Sequence, residues 1–216
     1  MNVQYSFMVS YILLLTTGTI CFIEAMRTKV PMIRHIFNLE TCVSVVAAYF
    51  YYLFIEKIKE YEAEKKPINW EEMTEIRYLD WAITTPLMLI VLCAALGYNI
   101  KKTVHITTIG IIVILNYIML YFGYLGETTM DKVTAAGLSF VAFFAMYFVI
   151  FNHYIKPKYN VPNNIFYGLY LFVWTFYGVV YFLEEETKNL LFNALDVFSK
   201  TLIGIGLWFY YTKIIT

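Results

Sequence analysis

The chain of 216 residues is too apolar for a water-soluble domain, since 60% of its residues are hydrophobic, 15% are charged and its mean hydropathy is +0.62. A soluble domain of this length could not bury so much apolar surface in one core, so the composition predicts a membrane protein. The formal net charge is zero, which provides no basic surface for nucleic acid and excludes that class of partner.

Apolar stretches separated by short polar breaks predict an all-α membrane protein with seven transmembrane helices, forming a single domain over residues 1–216. The predicted spans are 5–25, 36–56, 76–98, 104–124, 132–154, 163–183 and 189–212. The first span lacks a basic leader and a small-residue cleavage site, so we interpret it as a retained helix. Cys21, Cys42 and Cys93 lie inside apolar spans without metal-ligand spacing. We therefore interpret them as small core residues and expect no metal site.

The charges between the spans predict the orientation of the chain in the membrane. Basic residues occur in the first, third and fifth breaks and in the tail: Arg27, Lys29, Arg34, Lys101, Lys102, Lys156, Lys158 and Lys213. The other breaks are dominated by Glu and Asp. Because short cytoplasmic loops are enriched in Lys and Arg, we expect the N-terminus outside and the C-terminus in the cytoplasm.

The third span carries a charged pair near its predicted outer end. Arg77 and Asp80 are three residues apart and so share a helical face, with Thr84 one turn deeper. Pro86 would kink the helix unless neighbouring hydroxyls satisfy the freed carbonyl group. Considered alone, Arg77 and Asp80 fit an interfacial ion pair that ties helix ends together as well as they fit a functional site.

The seventh span places Lys200 in the middle of an apolar run, and the other lysines are expected at loops or membrane faces. A charge at the bilayer centre costs from about 2.5 kcal/mol upward, so an intramembrane lysine indicates function. Asp196, four residues earlier on the same face, can supply a counter-charge. A lysine that reaches the headgroups is the alternative. Lys200 lies about 17 Å beyond a helix start near Lys188 or Asn189, which places it near the centre of the hydrocarbon core.

Three motifs resemble the microbial rhodopsins, and the resemblance covers the whole chain. They are RYLDWAITTP at 77–86, DVFSK at 196–200 and WTFYGVVY at 174–181. The last motif has glycine where the best-known pumps of the family have proline, and tyrosine in place of a second tryptophan. In the fourth span, Asn116, Met119 and Gly123 match the spacing of pocket residues. RHIFNLET in the second span is most similar to the rhodopsins of giant viruses.

The resemblance implies all-trans retinal bound covalently to Lys200 as a protonated Schiff base. A neutral amine condenses with an aldehyde, and the resulting buried cation needs a counter-charge. Asp80 and Asp196 would supply this charge, and Arg77 would balance the excess. The motif positions imply these retinal contacts: Trp81, Thr85, Met88, Met119, Gly123, Trp174, Tyr177 and Tyr181. Taken singly, each aromatic residue would be ordinary packing in a chain that is 19% aromatic.

The resemblance also implies how the protein acts and where it resides. We expect a light-driven outward proton pump in which Asp80, beside Thr84, accepts the proton. Two roles are open for Glu184, Glu185 and Glu186. They could form an acidic cluster that releases the proton to the outside, or they could be a simple solvated loop. The protein would be a multi-pass protein of the lipid bilayer, in the host cell membrane if its source is viral. It would assemble as a homo-oligomer, a pentamer or a trimer.

One position departs from the best-studied proton pumps. Where their pattern has a carboxylate donor, eleven residues after Asp80, this chain has Val91. Glu40, near the cytoplasmic end of the second span, is our substitute donor for the return of the proton. The equally weighted alternative is a salt bridge from Glu40 or Glu24 to the arginines near the first break.

Two other functions fit the same residues. A light-gated cation channel could use Glu40, Asn116 and Asn193 to line a wetted path. A photosensor that signals through a partner is the third possibility, and the absence of an appended signalling domain counts mildly against it. An enzyme is not expected, because the sequence has no phosphate loop, metal cluster or nucleophile triad.

Overall fold

A computed structural model of the chain describes residues 3–213, and this range contains helices and no β-strand. The helices are α1 Val3–Arg27, α2 Pro31–Ala63, α3 Trp70–Asn99, α4 Ile106–Thr128, α5 Lys132–Ile155, α6 Val161–Val180 and α7 Glu185–Thr212. All except α6 are long and apolar enough to span a membrane by length and composition. The predicted seven-helix architecture is confirmed, whereas the membrane orientation stays a prediction.

Helix α2 begins earlier and ends later than the predicted span 36–56. Its last residues, EKIKEYEA at 56–63, favour helix and carry an ion pair between Glu56 and Lys59 at 2.9 Å. Hydropathy reports where apolar residues stop, but backbone hydrogen bonding continues past that point. The predicted span therefore ended at the first charged residues, while the helix did not.

Helices α3 and α7 also begin before their predicted spans. The side chain of Asn69 accepts hydrogen bonds from the backbone N–H groups of Glu71 and Glu72 at the start of α3. Helix α7 begins at Glu185, and its first turn is acidic, which complements the positive end of the helix dipole. At both starts, polar or acidic residues stabilise the free backbone N–H groups of the helix N-terminus. The apolar pattern used to predict the spans does not detect such residues, so it placed both helix starts too late.

Two π-helical turns interrupt the α-helical hydrogen bonding. One closes α5 at Phe151–Ile155, and the other lies within α7 at Val197–Leu202, so it contains Lys200. Such turns are rare and occur frequently at functional sites, because the extra residue redirects the neighbouring side chains. Apolar periodicity predicted an uninterrupted helix here and gave no indication of the π turn.

The described chain forms two compact units. Unit 1 contains the chain up to Thr84 and again from Val179, and unit 2 contains Thr85–Gly178. In unit 1, α1 packs along α2, and the rings of Phe7 and Phe54 lie 4.9 Å apart between them. The single retinal-binding domain over the whole chain stays a prediction.

In unit 2, α4 packs along α5, and a buried asparagine joins three segments. Asn163 accepts a hydrogen bond from Asn99 at 2.8 Å and donates to the carbonyl oxygens of Leu96 at 3.0 Å and Tyr154 at 3.4 Å.

At the start of α5, Asp131 accepts a hydrogen bond from the backbone N–H of Thr134, which lowers the pKa of Asp131 below its ordinary value.

The cysteines are free thiols. Cys21 and Cys93 are buried, as the core interpretation predicts, but Cys42 is exposed on α2, so that interpretation is wrong for Cys42. An apolar span predicts immersion in the bilayer, and this does not decide whether a side chain faces protein or lipid.

Candidate functional site

Lys200 lies between two carboxylates in unit 1. Its Nζ donates to Asp80 Oδ2 at 2.8 Å and to Asp196 Oδ2 at 3.2 Å. Lys200 is 2% exposed, and both aspartates are fully buried. Charges as deep as these need partners within hydrogen-bonding distance, and here one ammonium group is held by two carboxylates. The structure therefore brings together the three charged residues that the sequence singled out in α3 and α7.

Asp196 has further partners that stabilise a negative charge. The hydroxyl of Tyr51, from α2, donates to Asp196 Oδ2 at 2.9 Å, and Arg77 NH1 lies 3.8 Å from the same oxygen. The sequence did not single out Tyr51, which is one of 20 tyrosines. No motif distinguishes it from its neighbours, and only the packing of α2 against α7 in unit 1 places its hydroxyl at the carboxylate.

Arg77 is enclosed by amide oxygens and aromatic rings. Its NH2 donates to Asn189 Oδ1 at 3.0 Å and to Asn193 Oδ1 at 2.8 Å. Its guanidinium carbon lies 5.5, 4.9 and 5.6 Å from three ring centroids, those of Phe7, Phe54 and Phe192 respectively. Rings at such distances attract a cation through their negative faces. Arg77 is 2% exposed and forms its ion pair with Asp196, so the alternative in which Arg77 pairs with Asp80 is wrong.

Asp80 has a different environment from Asp196. Besides Lys200, the hydroxyl of Thr84 lies 3.2 Å from Asp80 Oδ1 and 2.8 Å from the backbone oxygen of Asp80. One hydroxyl has one hydrogen, so Thr84 donates to only one of these oxygens at a time, and the backbone oxygen is nearer. Lys200 Nζ is closer to Asp80 than to Asp196, and among the described residues neither Arg77 nor Tyr51 lies within ion-pair or hydrogen-bond distance of Asp80.

The predicted retinal contacts of unit 1 are Trp81 and Tyr181. Trp81 is 7% exposed and packs edge-on against Phe192 at 5.1 Å and against Tyr78 at 5.2 Å. Tyr181 is buried. Trp81 directly follows Asp80 on α3, and Tyr181 is the first residue after α6.

The predicted contacts of unit 2 lie on its own helices. Trp174 is buried, and its ring lies 6.3 Å from Tyr147 and 6.2 Å from Tyr170. Asn116 donates to the hydroxyl of Thr85 at 2.9 Å. The remaining predicted contacts are buried or half-buried: Met88, Met119, Gly123 and Tyr177.

The residues of unit 1 fit the chromophore that the resemblance implies. A buried primary amine is the group that condenses with an aldehyde, and Lys200 supplies it. After condensation a protonated nitrogen keeps one N–H, and the carboxylates of Asp80 and Asp196 are placed to accept it.

Glu40 lies on the opposite side of Lys200 along α7. It is 2% exposed, and a Cβ atom added to Gly204 would lie 3.2 Å from Glu40 Oε2. Gly204 is four residues after Lys200, whereas Asp196 is four residues before it. The missing side chain at Gly204 therefore makes room for a buried carboxyl group about one turn beyond the amine.

The predicted alternative for these acids, a salt bridge to the arginines, holds for Glu24 and not for Glu40. Arg27 lies 3.7 Å from Glu24, and Trp208 donates to Glu24 at 3.4 Å. Arg34 donates to the backbone oxygen of Thr28 instead. Among residues 3–213, Glu40 has no ion pair.

The acidic cluster forms the N-cap and first turn of α7. Glu184 and Glu186 are exposed, and Glu185 accepts from Lys188 at 2.7 Å. Lys188 is 1% exposed and lies in the first turn of α7, so it is a second buried lysine of this helix, paired with Glu185 at the helix start.

Comparison with known proteins identifies the family of the chain. A family model described as bacteriorhodopsin-like protein matches residues 1–214. The crystal structure of viral rhodopsin OLPVRII has a TM-score of 0.91 at 43% identity, covering 99% of both chains. Blue light-absorbing proteorhodopsin from Med12 has a TM-score of 0.75 at 20% identity, covering 98% of this chain and 97% of that one.

A more distant relative is Opsin-1 of Neurospora crassa, which is 26% identical over 147 residues, or 61% of this chain. The match spans 47% of that protein, about half of its length. The resemblance to the microbial rhodopsins that the three motifs indicated is confirmed. Membership of this family implies a retinal chromophore. The chain belongs to the bacteriorhodopsin-like family, as a microbial rhodopsin and an integral, multi-pass membrane protein.

Proposed function

We propose that this rhodopsin is a light-driven outward proton pump that carries all-trans retinal on Lys200, with its N-terminus outside. The observation that supports this most is the order of carboxyl groups along α7. Two lie against Lys200 toward the start of the helix, and a third, Glu40, lies against Gly204 toward its end. An amine between separate acids on both sides can give up a proton in one direction and receive one from the other.

Asp80 is the proposed acceptor of the proton. When bound, the chromophore supplies a light-driven change in the position and proton affinity of the Lys200 nitrogen. Asp80 Oδ2 is the nearer carboxylate at 2.8 Å, and proton transfer requires such hydrogen-bond reach. Asp196 is held in its charged form by Tyr51 and Arg77, so its oxygens are the poorer acceptors.

Glu40 is the proposed source of the returning proton. A buried carboxyl group without a cationic partner is more stable with its proton than without it. Glu40 meets this condition among the described residues, and its position beside Gly204 places it on the cytoplasmic side of Lys200 in the proposed orientation. Release to the outside through Glu184, Glu185 and Glu186 remains part of the proposal.

The experiment that tests this function is the light-induced pH change of a cell suspension that expresses the protein with retinal. We expect external acidification on illumination, abolished by a protonophore and absent in a Lys200→Ala strain. A protonophore-insensitive change or external alkalinisation would contradict outward proton pumping. A coloured protein that moves no protons would favour the photosensor.

A further inference from the structure

Asn193 is the centre of a buried hydrogen-bond network in unit 1. It is 1% exposed, its Oδ1 accepts from Arg77 at 2.8 Å, and the hydroxyl oxygen of Tyr51 lies 3.1 Å from the same Oδ1. Its Nδ2 donates to Ser6 Oγ at 2.8 Å, and its backbone oxygen accepts from Ser10 at 3.3 Å. One amide therefore joins α1, α2, α3 and α7.

The chemistry of the neighbours fixes the orientation of this amide. Arg77 can only donate, so the oxygen of Asn193 must face it. Ser6 gives its own hydrogen to the backbone oxygen of Val3 at 2.6 Å, so Ser6 Oγ must accept from the amide nitrogen. A flipped amide would direct its N–H groups at a guanidinium group and leave Ser6 Oγ without a donor. The side chain has one satisfied orientation.

Both neighbours of the Asn193 oxygen also reach Asp196, one turn further along α7. The hydroxyl of Tyr51 is 2.9 Å from Asp196 Oδ2, and Arg77 NH1 is 3.8 Å from it. The single hydrogen of the Tyr51 hydroxyl goes to the nearer acceptor, Asp196, whereas Arg77 donates to Asn193 through NH2 and directs NH1 toward Asp196. The position of Asn193 therefore determines how closely the guanidinium group approaches this carboxylate.

We propose that Asn193 is a positioning residue that selects Asp80 over Asp196 as the proton acceptor. By holding Arg77 beside Asp196, it keeps that carboxylate ionised and leaves Asp80 to take the proton. This inference rests on the proposed proton transfer from the Lys200 nitrogen.

The groups that face Asp196 come from each element packed around it. Helix α2 supplies Tyr51, α3 supplies Arg77 and, across the amine, Asp80, and α7 supplies Lys200. Helix α1 contributes the hydroxyls of Ser6 and Ser10, which do not titrate and reach Asn193 rather than Asp196. Removing the Asn193 oxygen therefore removes the hydrogen-bond acceptor that holds Arg77 without removing a charge.

The test uses the colour of the pigment in an Asp80→Asn background, where Asp196 is the remaining counter-charge and its protonation shifts the absorption maximum. Asn193→Leu added to this background is expected to move the colour transition to higher pH by about one unit. Ser6→Ala is the matched control, because it removes a bond of the same amide but not its oxygen, and it is expected to leave the transition in place.

A double-mutant comparison separates positioning from general damage. In an Arg77→Gln background, Asn193→Leu is expected to move the transition less, because the group that Asn193 positions is already absent. Asn193→Ser, which shortens the side chain without apolar bulk, gives the same test if Asn193→Leu yields no pigment. Infrared difference spectra of Asn193→Leu are expected to show a second protonated carboxyl band that persists after Asp80→Asn.

The outcomes separate the two proposals. Pigment whose colour transition is unmoved by Asn193→Leu and by Asn193→Ser would overturn the positioning role alone. No pigment in the unmodified protein supplied with retinal would instead contradict the proposed function.

Discussion

The two sides of Lys200 along α7 differ in how their acids are held. Toward the start of the helix, Asp196 and Asp80 are bound by Lys200, and Asp196 also by Tyr51 and an arginine. Toward its end, Glu40 is buried against a glycine and has no ion pair within residues 3–213.

This difference separates two chemical tasks. A carboxylate surrounded by donors and cations is stabilised in its charged form, and it can balance the charge of a buried amine. A carboxyl group buried alone retains its proton until a stronger base is presented. The proposed direction of proton transfer therefore follows from the different partners of the acids on the two sides of Lys200, and not from how many acids there are.

The largest expected effect comes from removing the amine. Lys200→Ala is expected to abolish the pigment completely, because no other amine lies between Asp80 and Asp196 in the described network. Absorption spectra after addition of retinal measure this. Lys188→Ala is the matched control, since Lys188 is also buried in α7 but is paired with Glu185, and it should retain colour. Full pigment in Lys200→Ala would end the assignment of the attachment site.

The second-largest expected effect comes from changing Asp80, which lies against Lys200 together with Asp196. Asp80→Asn is expected to shift absorption to the red and to stop proton transport, because it removes both a counter-charge and the proposed acceptor. Spectra and light-induced pH changes measure the two consequences separately. An unchanged spectrum would mean that Asp196 alone carries the counter-charge.

A smaller effect, on the rate of proton return, is expected from changing Glu40. Glu40→Gln is expected to slow the return of the proton to the Lys200 nitrogen several-fold, because the proposed donor is lost. Transient absorption measures the rate, and azide, a small diffusible acid, should restore it. Glu24→Gln is the control, since Glu24 already pairs with Arg27. A normal rate in Glu40→Gln would leave Glu40 as a packing residue.

The smallest expected effect tests whether the missing side chain at Gly204 provides the space that the Glu40 carboxyl group occupies. A Cβ at Gly204 would lie 2.9 Å from the Thr17 methyl group and 3.2 Å from Glu40 Oε2, so Gly204→Ala must displace one of them. We expect proton return to slow, by less than in Glu40→Gln. Gly206→Ala is the control on the same helix, because a Cβ there meets nothing within 4 Å. Equal rates in the two alanine variants would show that the carboxyl position does not depend on this glycine.

Sequence reasoning located the charged centre because its members follow helical spacing within an apolar context. Lys200 and Asp196 are four residues apart, and Asp80 belongs to a motif that a family resemblance made specific. It located Glu40 through its rarity as an acid inside a span. These residues carry signals in the chain itself, namely charge, spacing and context.

Sequence reasoning missed the residues whose importance depends on packing between helices. Tyr51 is ordinary in a chain this aromatic, and Asn193 was named only as a residue that could line a channel. Only the packing of α1, α2 and α7 places these two residues beside Asp196 and Arg77. The burial of Lys188 and the π turn around Lys200 also depend on backbone geometry that hydropathy does not encode. The homo-oligomer implied by the resemblance stays a prediction.

The direction of charge movement tests the central claim most directly. Photocurrents are recorded from a membrane patch containing the retinal-loaded protein while the voltage is stepped through a wide series at fixed proton gradients. Outward proton pumping predicts an outward current at every voltage, decreasing as the opposing potential grows but never reversing. A current that reverses near the equilibrium potential of protons or another cation would contradict the account and identify a light-gated channel.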